Sequence, residues 1–237
     1  KSLKGSRYGM FGGRSLGIYS AGIDPSQWQH RYGIDVEHFD QLAIVRRAEQ
    51  QNPSKVHELI QWLEKQGLKF TFNSGPFTEK HLELQVRSYL GTKELVTENN
   101  LDFISIKCQP EMSNGYCLQC LNVSLLNDRY DADGIKKAIP CACEADGDGA
   151  LTMMILNQVS GGMPTTLMDV RAVLPDGGIL LLNNCGAMAP YFAGRSGNPG
   201  QNLTKITLVP HVFGEAGGSS VQFICERGPL TLARLCR

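Results

Sequence analysis

The chain has 237 residues, 42% of them hydrophobic, and its 23 basic and 23 acidic side chains give no net charge at pH 7. A neutral chain has no strong positive field to attract nucleic acid or an anionic membrane, so we expect neither as a partner and favour a small neutral or metal-bound substrate. The sequence has no apolar run of the roughly 18 residues that a membrane span requires, and residues 1–15 lack the apolar core of a signal peptide, which predicts a cytoplasmic protein.

The N-terminal part alternates strand-like and helix-like patterns, which predicts an α/β fold with an open, mostly parallel sheet and flanking helices. Asp24 and Pro25 indicate one helix start, because an aspartate accepts the free amide groups of a first turn and proline suits the first position. The predicted strands cover 15–20, 34–39 and 101–107, and the predicted helices cover 25–30, 41–50, 53–66 and 78–95.

Two carboxylates follow short apolar runs in the next part of the chain. The first run, 138–143, predicts a buried strand that ends at Glu144, and a helix is predicted over 150–159. Residues 165–168 predict another short strand, which ends at Asp169. Because ligands bind outside the carboxyl ends of parallel strands, one strand-helix-strand crossover would bring both carboxylates to one sheet edge. The pair predicts a divalent-metal enzyme site.

Other interpretations of these acidic residues compete with a metal site. Asp146 and Asp148 lie near a helix start, where aspartates cap helices and form turns more often than they bind metals. An EF-hand counted from Asp146 fails, because its twelfth position is Asn157 and not the required glutamate. A glycosidase with two carboxylates remains open, because the sequence does not fix the distance between Glu144 and Asp169.

The pattern becomes β-rich after Val170, where short strand candidates alternate with glycine-rich turns. We therefore divide the chain into an α/β domain over 1–164 and the beginning of a β-rich domain over 165–237. The chain starts without an initiator methionine and its last predicted strand has no closing element, so we expect an internal piece of a longer protein. The predicted strands of this second region cover 179–182, 206–209, 221–225 and 230–235.

The eight cysteines are predicted to be reduced thiols, because they are diluted in a long chain and several lie in apolar runs. The pairs Cys117 with Cys120 and Cys141 with Cys143 suggest zinc only weakly, because the second pair has one intervening residue and lies inside a strand pattern. The cysteines predicted to lie in apolar strands are Cys108, Cys141, Cys143 and Cys225.

Six segments occur together in an order that is typical of one enzyme family. They are Gly12-Gly13-Arg14-Ser15-Leu16-Gly17, Asp24-Pro25-Ser26-Gln27-Trp28, Tyr32-Gly33-Ile34-Asp35-Val36-Glu37, Ile106-Lys107-Cys108-Gln109-Pro110-Glu111, and the segments around Glu144 and Asp169. Together they resemble the L-fucose isomerase family, which includes the D-arabinose isomerases. The resemblance spans most of the chain, and its Glu144 and Asp169 segments are the most specific.

The resemblance implies a cytosolic hexamer of three-domain subunits that interconverts aldoses and ketoses with Mn²⁺ or a similar divalent cation. It assigns catalytic and metal-binding roles to Glu144 and Asp169, and sugar binding to Gln109. This chain would then hold the middle domain and the opening of the C-terminal domain. The family's third metal ligand is a histidine expected beyond residue 237, and His211 lies too near Asp169 to match it, so we predict a turn or packing role for His211.

Isomerisation chemistry requires residues of these types independently of the family. A carboxylate base must remove the weakly acidic proton beside a carbonyl, and a hard cation bound by oxygen ligands would stabilise the resulting enediolate. The expected substrates are L-fucose and D-arabinose. The alternative from another functional class is a catalytically incomplete sugar-binding or assembly module with the same fold.

Overall fold

The computed structural model describes residues 3–175 and 178–235, and it has the predicted α/β fold. The strands are β1 (Arg7–Phe11), β2 (Asp35–Phe39), β3 (Lys69–Phe70), β4 (Phe103–Ile106), β5 (Tyr130–Asp131), β6 (Gly134–Ile135), β7 (Cys141–Cys143), β8 (Asp169–Leu174), β9 (Ile179–Asn183), β10 (Thr207–Pro210) and β11 (Ser219–Gln222). The helices are α1 (Pro25–Tyr32), α2 (Leu42–Glu49), α3 (Pro53–Lys65), α4 (Glu79–Glu98), α5 (Glu111–Gly115), α6 (Cys120–Asn127), α7 (Gly147–Val159), α8 (Tyr191–Gly194) and α9 (Pro199–Leu203).

The central sheet has four strands in the order β2-β1-β4-β7, and every neighbouring pair is parallel. The register aligns Phe11 with Ile106, and Ile106 with Cys143, so three strands end at the same level. The loops that follow β1, β4 and β7 therefore meet at one edge of the sheet, which is where open α/β sheets bind ligands.

Helices cover both faces of this sheet. On one face, α1 and α7 bury an aromatic group in which the Tyr8 ring centroid lies 5.1 Å from Trp28 and 5.0 Å from Phe103. On the other face, α2, α3, α4 and α6 enclose a larger apolar cluster that includes Leu59, Val86 and Leu121. Because helices bury both faces, the sheet has a fixed position between them, and so does its carboxyl edge.

Strand β1 lies in the middle of the sheet, although the sequence analysis did not predict it. Gly9 interrupts its apolar pattern, and the structure gives the reason: a Cβ at this position would lie 2.5 Å from Cδ1 of Leu101. A glycine inside a strand often marks such a close approach. Residues 15–20, predicted as the first strand, instead form a turn with Leu16 and Gly17 at positive φ and a 3-10 helix at Tyr19–Ala21. That strand prediction is wrong.

The second region is β-rich, but two of its predicted strands are absent from the described residues. Residues 165–168 have no ladder partner, and pairing begins only at Asp169, opposite Asn183. Asp169 thus starts an antiparallel ribbon, β8–β9, and does not end a strand of the parallel sheet. Residues 230–235 belong to no strand, and the Leu235 amide donates to Oγ1 of Thr152 on α7 at 3.0 Å. The strand prediction for 230–235 is therefore wrong, because the Leu235 amide pairs with a side chain and not with a neighbouring strand.

A small sheet joins the two parts of the chain. Strand β10 pairs antiparallel with β11 and parallel with β3, so residues 207–222 pack against residues 69–70. The division at residue 164 stays a prediction. Ribbon β8–β9 leaves several apolar side chains exposed, among them Val173 and Ile179. No helix in the described residues is both long and apolar enough to cross a bilayer.

The cysteines of the described residues are free thiols, as the sequence predicts. Cys108 and Cys141 are buried and Cys143 is half-buried, but Cys225 is exposed. The core prediction is wrong for Cys225, because β11 ends at Gln222 and the chain leaves the sheet before reaching it.

We expect Trp28→Ala to lower the free energy of unfolding by about 3–5 kcal/mol, because it empties a buried aromatic site against the sheet. Urea unfolding followed by far-ultraviolet circular dichroism measures the loss. Trp62→Ala is the matched control: Trp62 is only half-buried on α3, so its loss should be smaller. Equal losses in the two variants would contradict the central role of the aromatic group.

Candidate functional site

Glu144 lies in a sharp turn between β7 and α7. Glu144 and Ala145 both have left-handed backbone conformations, with φ of 55° and 52°. Such conformations cost non-glycine residues of order 1–3 kcal/mol each and cluster at functional sites. The turn is held by the Ala145 amide, which donates to the Ile106 carbonyl at 3.0 Å. It leaves the Glu144 side chain half-buried at the carboxyl edge of the parallel sheet.

One carboxylate oxygen of Glu144 is held by the two loops beside it. Oε2 accepts a hydrogen bond from the Ser15 hydroxyl at 2.5 Å and another from the Gln109 amide at 3.2 Å. The Ser15 Oγ also lies 2.9 Å from the Gln109 carbonyl oxygen. The sequence analysis cited Ser15 in a glycine-rich segment but gave it no role. The structure makes it the residue that joins the loop after β1 to this carboxylate.

This arrangement accommodates both protonation states of Glu144. When the carboxylate is ionised, the single Ser15 proton points to Oε2. When Glu144 carries a proton on Oε2, it donates to Ser15 Oγ, and Ser15 then donates to the Gln109 carbonyl. A carboxyl group that keeps satisfied hydrogen bonds in both states is suited to acid-base work.

The pKa of Glu144 is raised above its ordinary value. Burial is the main cause, because a desolvated carboxylate is disfavoured, and the negative charge of the nearby Cys185 thiolate adds to it. The hydrogen bonds from Ser15 and the Gln109 amide, with the charge of Lys107, act in the opposite direction. A raised pKa makes a carboxylate a stronger base near neutral pH.

Asp169 lies at the exposed start of β8, opposite Asn183. Asn184 links the two regions: its Nδ2 donates to the Leu167 carbonyl at 3.0 Å and lies 3.7 Å from Sγ of Cys143, next to Glu144. The pKa of Asp169 is raised by partial burial, then by the charges of Cys185 and Asp146, and Arg171 opposes this. Sequence reasoning missed Asn184, which carries no motif signal.

The remaining predicted site residues have different outcomes. Gln109 contacts Glu144 through its backbone amide, and its role in sugar binding stays a prediction. Asp146 caps α7, accepting the Gly149 amide at 2.8 Å, and it also pairs with Arg234, which confirms the capping interpretation. His211 is buried and hydrogen-bonded near a turn, in agreement with the predicted turn or packing role.

The oxygen donors here suit a hard divalent cation in part. Both described hydrogen bonds of the Glu144 carboxylate go to Oε2, so Oε1 is free for a cation, and Asp169 offers a second, exposed carboxylate. Mg²⁺ and Mn²⁺ prefer such oxygen ligands. Two carboxylates supply only part of a coordination sphere, so a cation bound by them would retain water or take further ligands.

Comparison with known proteins gives one informative relationship. No protein-family model matches the chain. The chain is 28% identical over 190 residues to a curated protein named sulfoquinovose isomerase from Alkalicoccus urumqiensis. The match covers 80% of this chain and 40% of that protein. The chain therefore spans well under half the length of this relative, and the similar region includes a large part of the fold described above.

Ser15→Ala should raise the pKa of the Glu144 carboxyl in the metal-free chain, because it removes a hydrogen bond that stabilises the ionised form while burial remains. Carbon-detected NMR titration of the carboxyl groups measures the change. The matched control is Ser26→Ala, which removes a similar hydroxyl-carboxylate bond of 2.7 Å at Asp24. It should raise the pKa of Asp24 and leave that of Glu144 unchanged. An unaltered Glu144 in Ser15→Ala would contradict the assigned contact.

Proposed function

We propose that this chain forms part of a metal-dependent aldose-ketose isomerase that converts L-fucose to L-fuculose, D-arabinose to D-ribulose, or both. The observation that carries the proposal is the Glu144 carboxylate, held by Ser15 and the Gln109 amide at the edge of the parallel sheet with a raised pKa. The similarity to a protein named sulfoquinovose isomerase supports an isomerase of sugars in general.

Glu144 is the proposed base that takes the proton beside the sugar carbonyl and returns it to the neighbouring carbon. This exchange passes through an enediol, in which a double bond joins the two carbons and each carries a hydroxyl. When the proton returns to the first carbon, the carbonyl forms on the second. Ser15 keeps the carboxyl oriented in both protonation states, so the geometry does not change when the proton is held. Asp169 is the proposed second group, which moves the proton between the two sugar oxygens.

The proposed cofactor is Mn²⁺ or a similar divalent cation, held by Glu144 and Asp169. A cation bound there would act as a Lewis acid on two adjacent sugar oxygens. The third protein ligand is proposed to come from sequence beyond residue 237. Gln109 is proposed to contact the sugar, and the complete protein is proposed to be a cytoplasmic homo-oligomer, as the family resemblance implies.

Sulfoquinovose is a second candidate substrate, because the relative's name specifies that sugar. It carries a sulfonate, an anion that arginine binds well. Arg14 precedes Ser15 in the loop beside Glu144, and its exposed guanidinium carbon lies 4.1 Å from the Tyr19 ring centroid. If the substrate is a sulfosugar, Arg14→Gln should raise KM for it, whereas KM for a neutral aldose should not change.

The complete product of the gene, supplied with Mn²⁺, should convert at least one of the three aldoses to its ketose. Removing the metal with a chelator should abolish the conversion, and added Mn²⁺ should restore it, because the cation stabilises the negative charge that develops on the sugar oxygens. Ketose formation is measured by NMR of the sugar. Sugar binding without conversion would favour the binding or assembly module, and chelator-resistant hydrolysis of a glycoside would favour the two-carboxylate glycosidase.

Glu144→Gln should lower kcat by about 10²–10⁴-fold, the usual contribution of a general acid-base group. The amide keeps the size and can still accept the Ser15 hydrogen bond, but it cannot take up a proton. Glu98→Gln is the control, because Glu98 lies at the end of α4 and pairs with Arg47, remote from the sheet edge. It should retain the parent activity. A Glu144→Gln enzyme with normal kcat would exclude Glu144 as the base.

A further inference from the structure

A second group of ligand-type side chains lies beside the carboxylates, and the proposed function does not use it. The Sγ atoms of Cys120 and Cys185 and one ring nitrogen of His211 lie within 4.8 Å of one another. We call these three residues the thiol-imidazole cluster. They come from three separate elements: the first residue of α6, the loop after β9, and the residue after β10. Only the tertiary fold brings them together.

We propose that the thiol-imidazole cluster binds a thiophilic divalent cation, Zn²⁺ in the first instance. Two cysteine sulfurs and one histidine nitrogen form a recognised zinc donor set, which leaves a fourth position for water or another ligand. Tetrahedral zinc with bonds of about 2.3 Å to sulfur and about 2.0 Å to nitrogen separates its donors by roughly 3.5–3.8 Å. The three donor atoms of the cluster, which lie within 4.8 Å of one another, would need to move only slightly closer together to bind the ion.

The loop that carries Cys185 is held from both sides. The Asn184 side-chain oxygen accepts the amides of Gly186 at 3.0 Å and Ala187 at 2.6 Å. Gly186 has φ of 125°, and a Cβ there would lie 2.2 Å from Oγ of Ser220, so only glycine fits. This backbone positions the Cys185 thiol without help from a metal, which reduces the ordering cost of binding.

Hydrogen bonds at both ring nitrogens fix the orientation of His211. Nδ1 accepts the Phe213 amide at 3.0 Å, so the neutral ring carries its proton on Nε2, which donates to the Cys185 carbonyl at 2.9 Å. Metal-bound histidines commonly donate their other ring N–H to a backbone carbonyl. A cation bound at Nδ1 would replace the Phe213 amide and leave the hydrogen bond to the Cys185 carbonyl in place.

The cluster is closed on two sides and open to solvent on the third. Cys120 and His211 are buried. Cys185 is partly exposed, which gives a cation a route into the cluster.

The donor chemistry separates this cluster from the Glu144 and Asp169 carboxylates. Sulfur and imidazole select zinc-like ions, whereas carboxylates select Mg²⁺, Ca²⁺ and Mn²⁺. Cobalt(II) reports the difference, because only thiolate ligands give an intense sulfur-to-cobalt charge-transfer band in the near ultraviolet. The test therefore uses Co²⁺ alone and then Zn²⁺ alone, on the chain kept reduced with a phosphine.

The metal-free chain should develop this band with one equivalent of Co²⁺ and lose it when one equivalent of Zn²⁺ is added. Cys185→Ser and His211→Gln should each weaken Zn²⁺ binding by more than about 100-fold, beyond the loss expected from a merely supporting residue. Cys225→Ser, at an exposed cysteine outside the cluster, and Glu144→Gln should both leave the band intact.

Wild-type calorimetry in two buffers of different ionisation enthalpy gives a result that does not depend on whether a variant folds. It should show proton release on Zn²⁺ binding, because cysteine sulfurs bind zinc as thiolates. A wild-type chain without the charge-transfer band would overturn the proposal. So would folded Cys185→Ser or His211→Gln chains with unchanged affinity, or cobalt binding that Glu144→Gln abolishes.

Discussion

Three loops of this protein converge on Oε2 of Glu144. The loop after β1 supplies the Ser15 hydroxyl, the loop after β4 supplies the Gln109 amide, and the turn after β7 supplies the carboxylate. The parallel register makes this possible, because it ends the three strands at one level. Two hydrogen bonds partly offset the cost of holding a carboxylate away from water, and the residual cost appears as a raised pKa.

The strained turn at Glu144 and Ala145 follows from the same constraint. Two left-handed residues redirect the chain between the end of β7 and the start of α7, which Asp146 caps. Apolar packing around the turn offsets the conformational free energy that it costs. Ala145 is fully buried, and α7 packs against the aromatic group of Tyr8 and Trp28. The fold thus stabilises a local conformation that the residues themselves disfavour.

Cys185 and its neighbour Asn184 interact with the residues around both Glu144 and Asp169. The charge of its thiolate raises the pKa of both Glu144 and Asp169, while Asn184 beside it contacts Cys143 and the Leu167 carbonyl. The two carboxylates therefore lie near enough to the thiol-imidazole cluster to be affected by the charge of Cys185. Oxygen and sulfur donors favour different cations, so two neighbouring groups of ligands need not compete for one ion.

Local periodicity and capping are enough to predict helices such as α3 and α4, the helix start at Asp24, and the strand before Glu144. The other features depend on contacts between distant parts of the chain. Strand β1 was not predicted, because close packing against Leu101 requires a glycine at position 9, which interrupts the apolar pattern. Strand β8 begins at Asp169, because Asn183 lies opposite it and pairs with it. The tertiary structure also brought Ser15 to Glu144 and Cys185 to His211. Contacts between residues so distant along the chain leave no periodic signal, because they depend on strand order and register and not on local pattern.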